Sequence, residues 1–377
     1  MVKRRRHRKS KNILCWCGSG KNYSDCHKNR ENELPVTLQE VVGTFKKTWG
    51  KEYCLSPEAN ETTCSGQIVK AHTVQKNGGL SKIARKGHVY GFRYELSDLE
   101  KGKLPTAKLM GINVASTFTG FCSYHDNLIF EPIEKQPFQN SLQQIFLLGY
   151  RAISLEFFSK KAQSELRSFS LGLDKGKSVE EQIYVQDFVQ TYYAGVLRGL
   201  NELQYHKTIY DQAMLSSDFS KVYYYTILLD QTPDLMCSGA IQVDYDFNGK
   251  ILQDLATVNI RDVVTFSLIS SNSGGAAVFS WLGKSLACLN LIKSLHAFSD
   301  SDIPHAILRF CLDSFENVYV SPYWWESLDS QQQKLVLKRA DYRSEPWKGT
   351  DPNSLKDDGV RIVKWKVISR DTNCSVV

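Results

Sequence analysis

Two sets of four cysteine and histidine side chains constrain this 377-residue chain more than any other feature. The first set is compact: Cys15, Cys17, Cys26 and His27 fall within thirteen residues. Three thiolates and an imidazole at that spacing suit a tetrahedral Zn²⁺ ion, with bonds of about 2.3 Å to sulfur and about 2.0 Å to nitrogen. Gly18 and Gly20 let the backbone fold tightly around such an ion. The second set is dispersed: Cys54, Cys64, Cys122 and His125. Cys122-x-x-His125 has the spacing of a knuckle that supplies two ligands, and Cys54 and Cys64 supply the other two. These spacings favour metal or free thiols over disulfides for the ten cysteines. Cys237, Cys288 and Cys311 sit in apolar surroundings and read as buried thiols.

Charge separates a tail from a body. Lys and Arg number 47 and Asp and Glu 40, a net of +7. Residues 1–11 carry seven of the basic side chains and no acid, so the rest of the chain is balanced. Such a tail attracts polyanions without sequence preference, and nucleic acid is the expected partner. The apolar stretch Ile145–Phe158 is interrupted by Arg151 and Glu156, so no membrane span is expected. No hydrophobic region of a secretory signal follows the charged start, and the expected location is cytoplasmic.

The pattern along the chain is modular. Residues 12–31 are too short to own a core. Residues 50–135 mix Gly, Ser and Thr with short alternating runs and hold the second set. From Ser141, which reads as an N-cap, apolar residues at 145, 148, 152, 155 and 158 have helical spacing. A second helix restarts at Ser178, which stands in capping-box spacing to Glu181. The two read as a helical hairpin over 141–216. Residues 218–377 are expected to form a mixed domain, with strands over 222–230, 235–246, 263–270 and 276–281. Helices follow near 284–297, 303–315 and 324–340, and a final strand spans 360–369. Asp244, Asp246 and Asp254 flank the Asn248-Gly249 turn and read as acidic hairpin ends rather than a cation site. Trp324-Trp325 reads as a buried pair, and Lys334, Lys338 and Arg339 as a solvated helix face.

Cys15-Trp-Cys17-Gly-Ser-Gly-Lys21-Asn-Tyr23-Ser-Asp-Cys26-His27 resembles the SEC-C motif, matching each of that motif's constrained positions. The resemblance implies a small zinc knuckle that serves other proteins as a binding appendage, so a protein partner is expected there.

Residues 50–135 resemble the zinc-bearing members of the HNH endonuclease family, with a ββα-metal, treble-clef fold. The resemblance implies that His72, after the apolar Ile68-Val69, is the general base. It implies that Asp126, directly after the fourth zinc ligand, holds a catalytic Mg²⁺ or Mn²⁺. The chain departs from the family in the nine residues between Cys54 and Cys64, in His125 as fourth ligand, and in the long insertion from 73 to 121. Glu131 and Glu134 beyond Asp126 read as an exposed acidic edge.

The expected architecture is therefore modular α+β with two structural Zn²⁺ sites. The expected function is a metal-dependent nucleic-acid endonuclease, a hydrolase of a kind often found in bacterial defence. The alternative is a non-catalytic zinc-binding adaptor for nucleic acid or protein. A third class is an enzyme whose active site lies in the C-terminal domain.

Overall fold

Helices and strands are mixed along the chain in the computed structural model, which describes residues 13–94, 104–254, 260–272, 274–341 and 350–375. The basic segment 1–11 lies outside the described residues. The fold class is α+β. No helix among the described residues is long and apolar enough to cross a membrane. Two units emerge, each assembled from distant parts of the sequence: residues 13–51 with Ser159–Leu200, and Glu52–Phe158 with Asn201–Val377.

The first unit holds the knuckle and α1 (Leu38–Trp49). Thr37 and Glu40 close a reciprocal capping box at the start of α1. The unit also takes the end of α3 (Leu142–Glu165), a short helix Arg167–Ser170, and the first part of α4 (Val179–Ser216). Its core gathers Leu166, Val189, Tyr193 and Val196. Ser178 and Glu181 cap α4 as the spacing predicts.

The second unit is built on an eight-stranded sheet in which every pairing is antiparallel. Its strands are β2 (His88–Arg93), β3 (Thr106–Gly111), β5 (Val222–Leu229), β6 (Leu235–Ile241), β7 (Val264–Ser271), β8 (Gly274–Leu282), β9 (Val318–Val320) and β10 (Val367–Thr372). The order across the sheet is β10-β5-β8-β7-β6-β9-β2-β3. A separate two-stranded sheet pairs β1 (Ile68–His72) with β4 (Thr117–Cys122), and α2 (Ser123–Glu134) follows at once. The long insertion between β1 and β4 thus has a place: its β2–β3 hairpin joins the large sheet through β9.

The first part of α3 is buried nearly all round, with Ile145, Phe146, Leu148, Tyr150, Ala152 and Ile153 inside. It runs close to the sheet at Gly149, where a Cβ would stand 2.9 Å from Thr265 Oγ1 and 3.1 Å from Ser280 Oγ. The rest of the core lies under α5 (Leu286–His296) and α6 (Ile303–Ser314). Cys237, Cys288 and Cys311 are fully buried there, as their surroundings suggest.

Several expectations are corrected. The strand expected over 360–369 is displaced to Val367–Thr372, because Val363 and Trp365 are drawn into the core instead. The helix expected over 324–340 is two, α7 (Pro322–Ser327) and α8 (Ser330–Arg339), because Asp329 forms a capping box with Gln332 and starts a new helix. Arg339 is not solvated: it is paired with Asp313 and Asp358. Glu134 is not an exposed edge either, since it is ion-paired with the buried Arg151. The Asp244–Asp246 turn is a closed hairpin end, with Asp246 accepting from the amides of Asn248 and Lys250 at 2.8 Å.

Phe310 on α6 is the hub of the core, with its ring within 5.2–5.9 Å of Phe247, Phe266, Phe279 and Phe315. Phe310→Ala should lower the unfolding free energy by about 3–5 kcal/mol, read by urea denaturation. A loss under about 1 kcal/mol would mean that the cluster can collapse around the cavity.

Candidate metal centres

The first centre begins as a tight reversal. The Cys15 amide donates to Lys21 O at 2.8 Å and the Tyr23 amide to Ile13 O at 2.8 Å. Gly18 and Gly20 hold φ of 72° and 74°, which side chains with a Cβ rarely adopt. A 3₁₀ turn over Tyr23–Asp25 then brings Cys26 and His27 back. The donor atoms of Cys15, Cys17, Cys26 and His27 all lie within 4.8 Å of one another. Cys17 Sγ stands 3.6 Å from Cys26 Sγ, close to the edge of about 3.8 Å in a tetrahedron of 2.3 Å bonds. His27 Nδ1 lies 3.2 Å from both Cys15 Sγ and Cys26 Sγ.

The opposite ring nitrogen explains why Nδ1 faces the sulfurs. His27 Nε2 donates to Asp174 Oδ2 at 2.8 Å, which leaves the Nδ1 lone pair for a metal. Asp174 is fully buried and is itself held by Arg30 Nε at 2.6 Å and Gln186 Nε2 at 2.7 Å. Burial pushes the Cys15 thiol up to about 11, while hydrogen bonds from Ser19 outweigh burial and lower Cys17. A cation among the sulfurs would offset that cost of burying thiolates.

The second centre is assembled from three segments. Tyr53 and Leu55 hydrogen-bond to Thr119 and Gly120 of β4, which places Cys54 beside the strand. Asn60 organises the turn that delivers Cys64, whose amide donates to Asn60 O at 3.1 Å. Cys122 is the N-cap of α2, and its Sγ accepts from the His125 amide at 3.5 Å. The four donors again fall within 4.8 Å, and His125 Nδ1 lies 3.1 to 3.7 Å from the three sulfurs. Cys54 is raised by burial to about 11. Burial works the same way on Cys122, but the amides and side chains of His125 and Ser65 overcome it and bring the thiol to about 6. Each set could therefore hold zinc, and together they are the groups of that kind among the described residues.

Asp126 directly follows the ligand His125, while His72 stands at the far end of β1 from Ile68, the residue paired with Cys122. His72 ends β1, opposite Thr117 of β4, and donates from Nε2 to Ile112 O at 2.8 Å. That bond fixes the tautomer and leaves Nδ1 as an acceptor. Burial lowers the imidazole below its usual range, so it is neutral at pH 7. Asp126 lies in the first turn of α2, and its Oδ1 is buried without a hydrogen-bond partner among the described residues. Burial pushes its carboxyl up against the pull of Arg151. Each of the two residues feels the other's neighbours, Glu134 and Arg151. Arg151 is 1% exposed, paired with Glu134, and lies over the Phe130 ring at 4.0 Å.

Two supporting groups were not anticipated as part of a centre. Asp174 is 147 positions from His27 in a polar loop, and no spacing points to it. Arg151 had a signal, as the charge that interrupts an apolar helix.

Comparison with known families now bears on the first centre. Residues 12–29 match the SEC-C motif. The match covers the knuckle and nothing beyond it. Comparison with curated proteins and with solved structures gives no match. The SEC-C motif of this chain thus brings its own four candidate ligands, and its histidine is oriented by a carboxylate from far along the sequence.

Purified protein should carry two zinc ions per chain by elemental analysis. Cys15→Ser and Cys122→Ser should each remove one, and a content near one in the wild type would eliminate the second centre. Asp174→Asn should weaken zinc at the SEC-C motif by about 10–100-fold in a chelator competition and leave the other ion in place.

Proposed function

We propose that the ββα module at the second centre is a metal-dependent nucleic-acid endonuclease of HNH-like type. One observation carries the reading. An imidazole oriented through Nε2 acts electrostatically on Asp126, a carboxylate with an unpartnered buried oxygen. His72 Nδ1 would take a proton from water, and the resulting hydroxide would attack the phosphodiester phosphorus as the leaving oxygen departs. Asp126 fits a Mg²⁺-class ion, which such sites hold through one or two carboxylates together with substrate phosphates. When bound, that ion would stabilise the negative charge that develops on the phosphoryl group. The zinc at the second centre would act structurally, fixing the start of α2 and with it Asp126.

A second reading is a non-catalytic zinc-binding adaptor. Arg151 favours it, because its guanidinium already offers positive charge to Asp126 and Glu134. A partner for the adaptor would meet the SEC-C motif, where Ile13, Leu14 and Trp16 are exposed.

His72→Ala should lower Mg²⁺- or Mn²⁺-dependent cleavage by about 10²–10⁴-fold with zinc content and melting temperature unchanged. The pH profile offers a separate check. A lowered imidazole pKa keeps the base neutral further into acid, so the acid limb of kcat/KM should lie below about 6.5. Wild-type protein that cleaves neither DNA nor RNA in any form would leave the adaptor reading.

A further inference from the structure

The segment that carries His72 is basic throughout. Between Glu61 and Glu95 there is no acidic residue, yet six Lys and Arg side chains occur. Two are engaged within the fold. Arg85 forms a two-pronged pair with Glu326 at 2.5 Å, and Arg93 donates to Tyr319 OH at 3.1 Å. The other four, Lys70, Lys76, Lys82 and Lys86, enter no ion pair among the described residues. Lys70, Lys82 and Lys86 are exposed and Lys76 is half-buried.

The backbone ties these cations to the segment that carries and orients His72. Lys70 precedes it by two residues on β1. Lys76 starts a π-helical turn, Lys76–Leu80, and acts electrostatically on the His72 ring. Lys82 lies in the short helix Ser81–Ile83 that follows. Lys86 sits at the tip of a two-residue turn closed by the Arg85–His88 bridge. Its φ of 50° and the 73° of Gly87 are those of a type I′ turn, where Asn or Gly is the usual first residue. Gly87 O accepts from the Ile112 amide at 3.0 Å, and Ile112 O is the acceptor that orients His72. The turn bearing Lys86 is therefore docked on the residue that aims the imidazole. Lysines without ion-pair partners on one segment repel one another, and a polyanion relieves that repulsion.

We propose that Lys70, Lys76, Lys82 and Lys86 seat the phosphodiester backbone of a nucleic acid across His72. This rests on the nuclease reading and sharpens it: the substrate is held by its phosphates, without base readout, and by this module rather than by the N-terminal tail.

The test uses the full chain with its zinc, without added Mg²⁺ or Mn²⁺, and with labelled duplex DNA and single-stranded DNA of mixed sequence as probes. Anisotropy titrations across a salt series compare wild type with the variant Lys70→Gln, Lys76→Gln, Lys82→Gln, Lys86→Gln. A control variant carries Lys46→Gln, Lys47→Gln, Lys334→Gln, Lys338→Gln, which removes the same charge from exposed lysines elsewhere. If a duplex is the ligand, the log–log salt slope should flatten by up to about 3.6 in the first variant, and if a single strand is, by up to about 2.8. The control should keep the wild-type slope. Equal slopes in all three proteins, an equal flattening in the control, or no binding of either probe by the wild type would overturn the inference. Binding that depends on the four lysines, in a protein that cleaves nothing, would remove the nuclease reading and leave this surface standing.

Discussion

The corner made by Cys122 and His125 is what the second unit's candidate site depends on. Cys122 ends β4 and caps α2 in one stroke, and the His125 amide returns to its sulfur. Cys54 and Cys64 reach this corner from more than fifty residues away. Bringing four donors within 4.8 Å fixes the strand end, the helix start and the preceding loop together. Structural zinc in small peptides contributes apparent binding free energies of about 10–16 kcal/mol at neutral pH, ample to hold such a corner. Asp126 is the next residue, so its place follows from the Cys122–His125 corner that starts α2.

Arg151 shows how the remaining charges are reconciled. A guanidinium that is almost wholly buried needs a partner, and Glu134 and the face of Phe130 provide it. The same cation lowers the electrostatic cost of placing Asp126 inside. It also works with burial to keep His72 neutral. One arginine thus tunes both candidate site residues while touching α2 and belonging to α3.

What could be read in the sequence follows the range of the interactions. Local signals were reliable. The spacing of Cys15, Cys17, Cys26 and His27, the capping box at Ser178, and the β-branched runs of β5 to β8 each correspond to an observed feature. The donors Cys54, Cys64, Cys122 and His125 do come together, although nine residues separate the first two. Long-range partners were not readable. Asp174 reaches His27 through folding alone, and the sheet that receives β2 and β3 has no counterpart in the local pattern. The break at Asp329 was missed because helical periodicity on both sides hides an internal cap.

The route of the chain between β1 and β4 has a further meaning. The hairpin that leaves the small sheet is sewn into the large one, with Tyr90 and Gly91 facing Val320 and Tyr319. Tyr319 in turn accepts from the Ser116 amide just before β4. The small module is therefore not a bead on a string. Cut out as residues 50–135, it would leave the β2 edge bare where β9 now covers it, an invitation to strand addition and aggregation. Its boundaries are set by the sheet, and a shift of β9 would be felt at the strand that ends in Cys122.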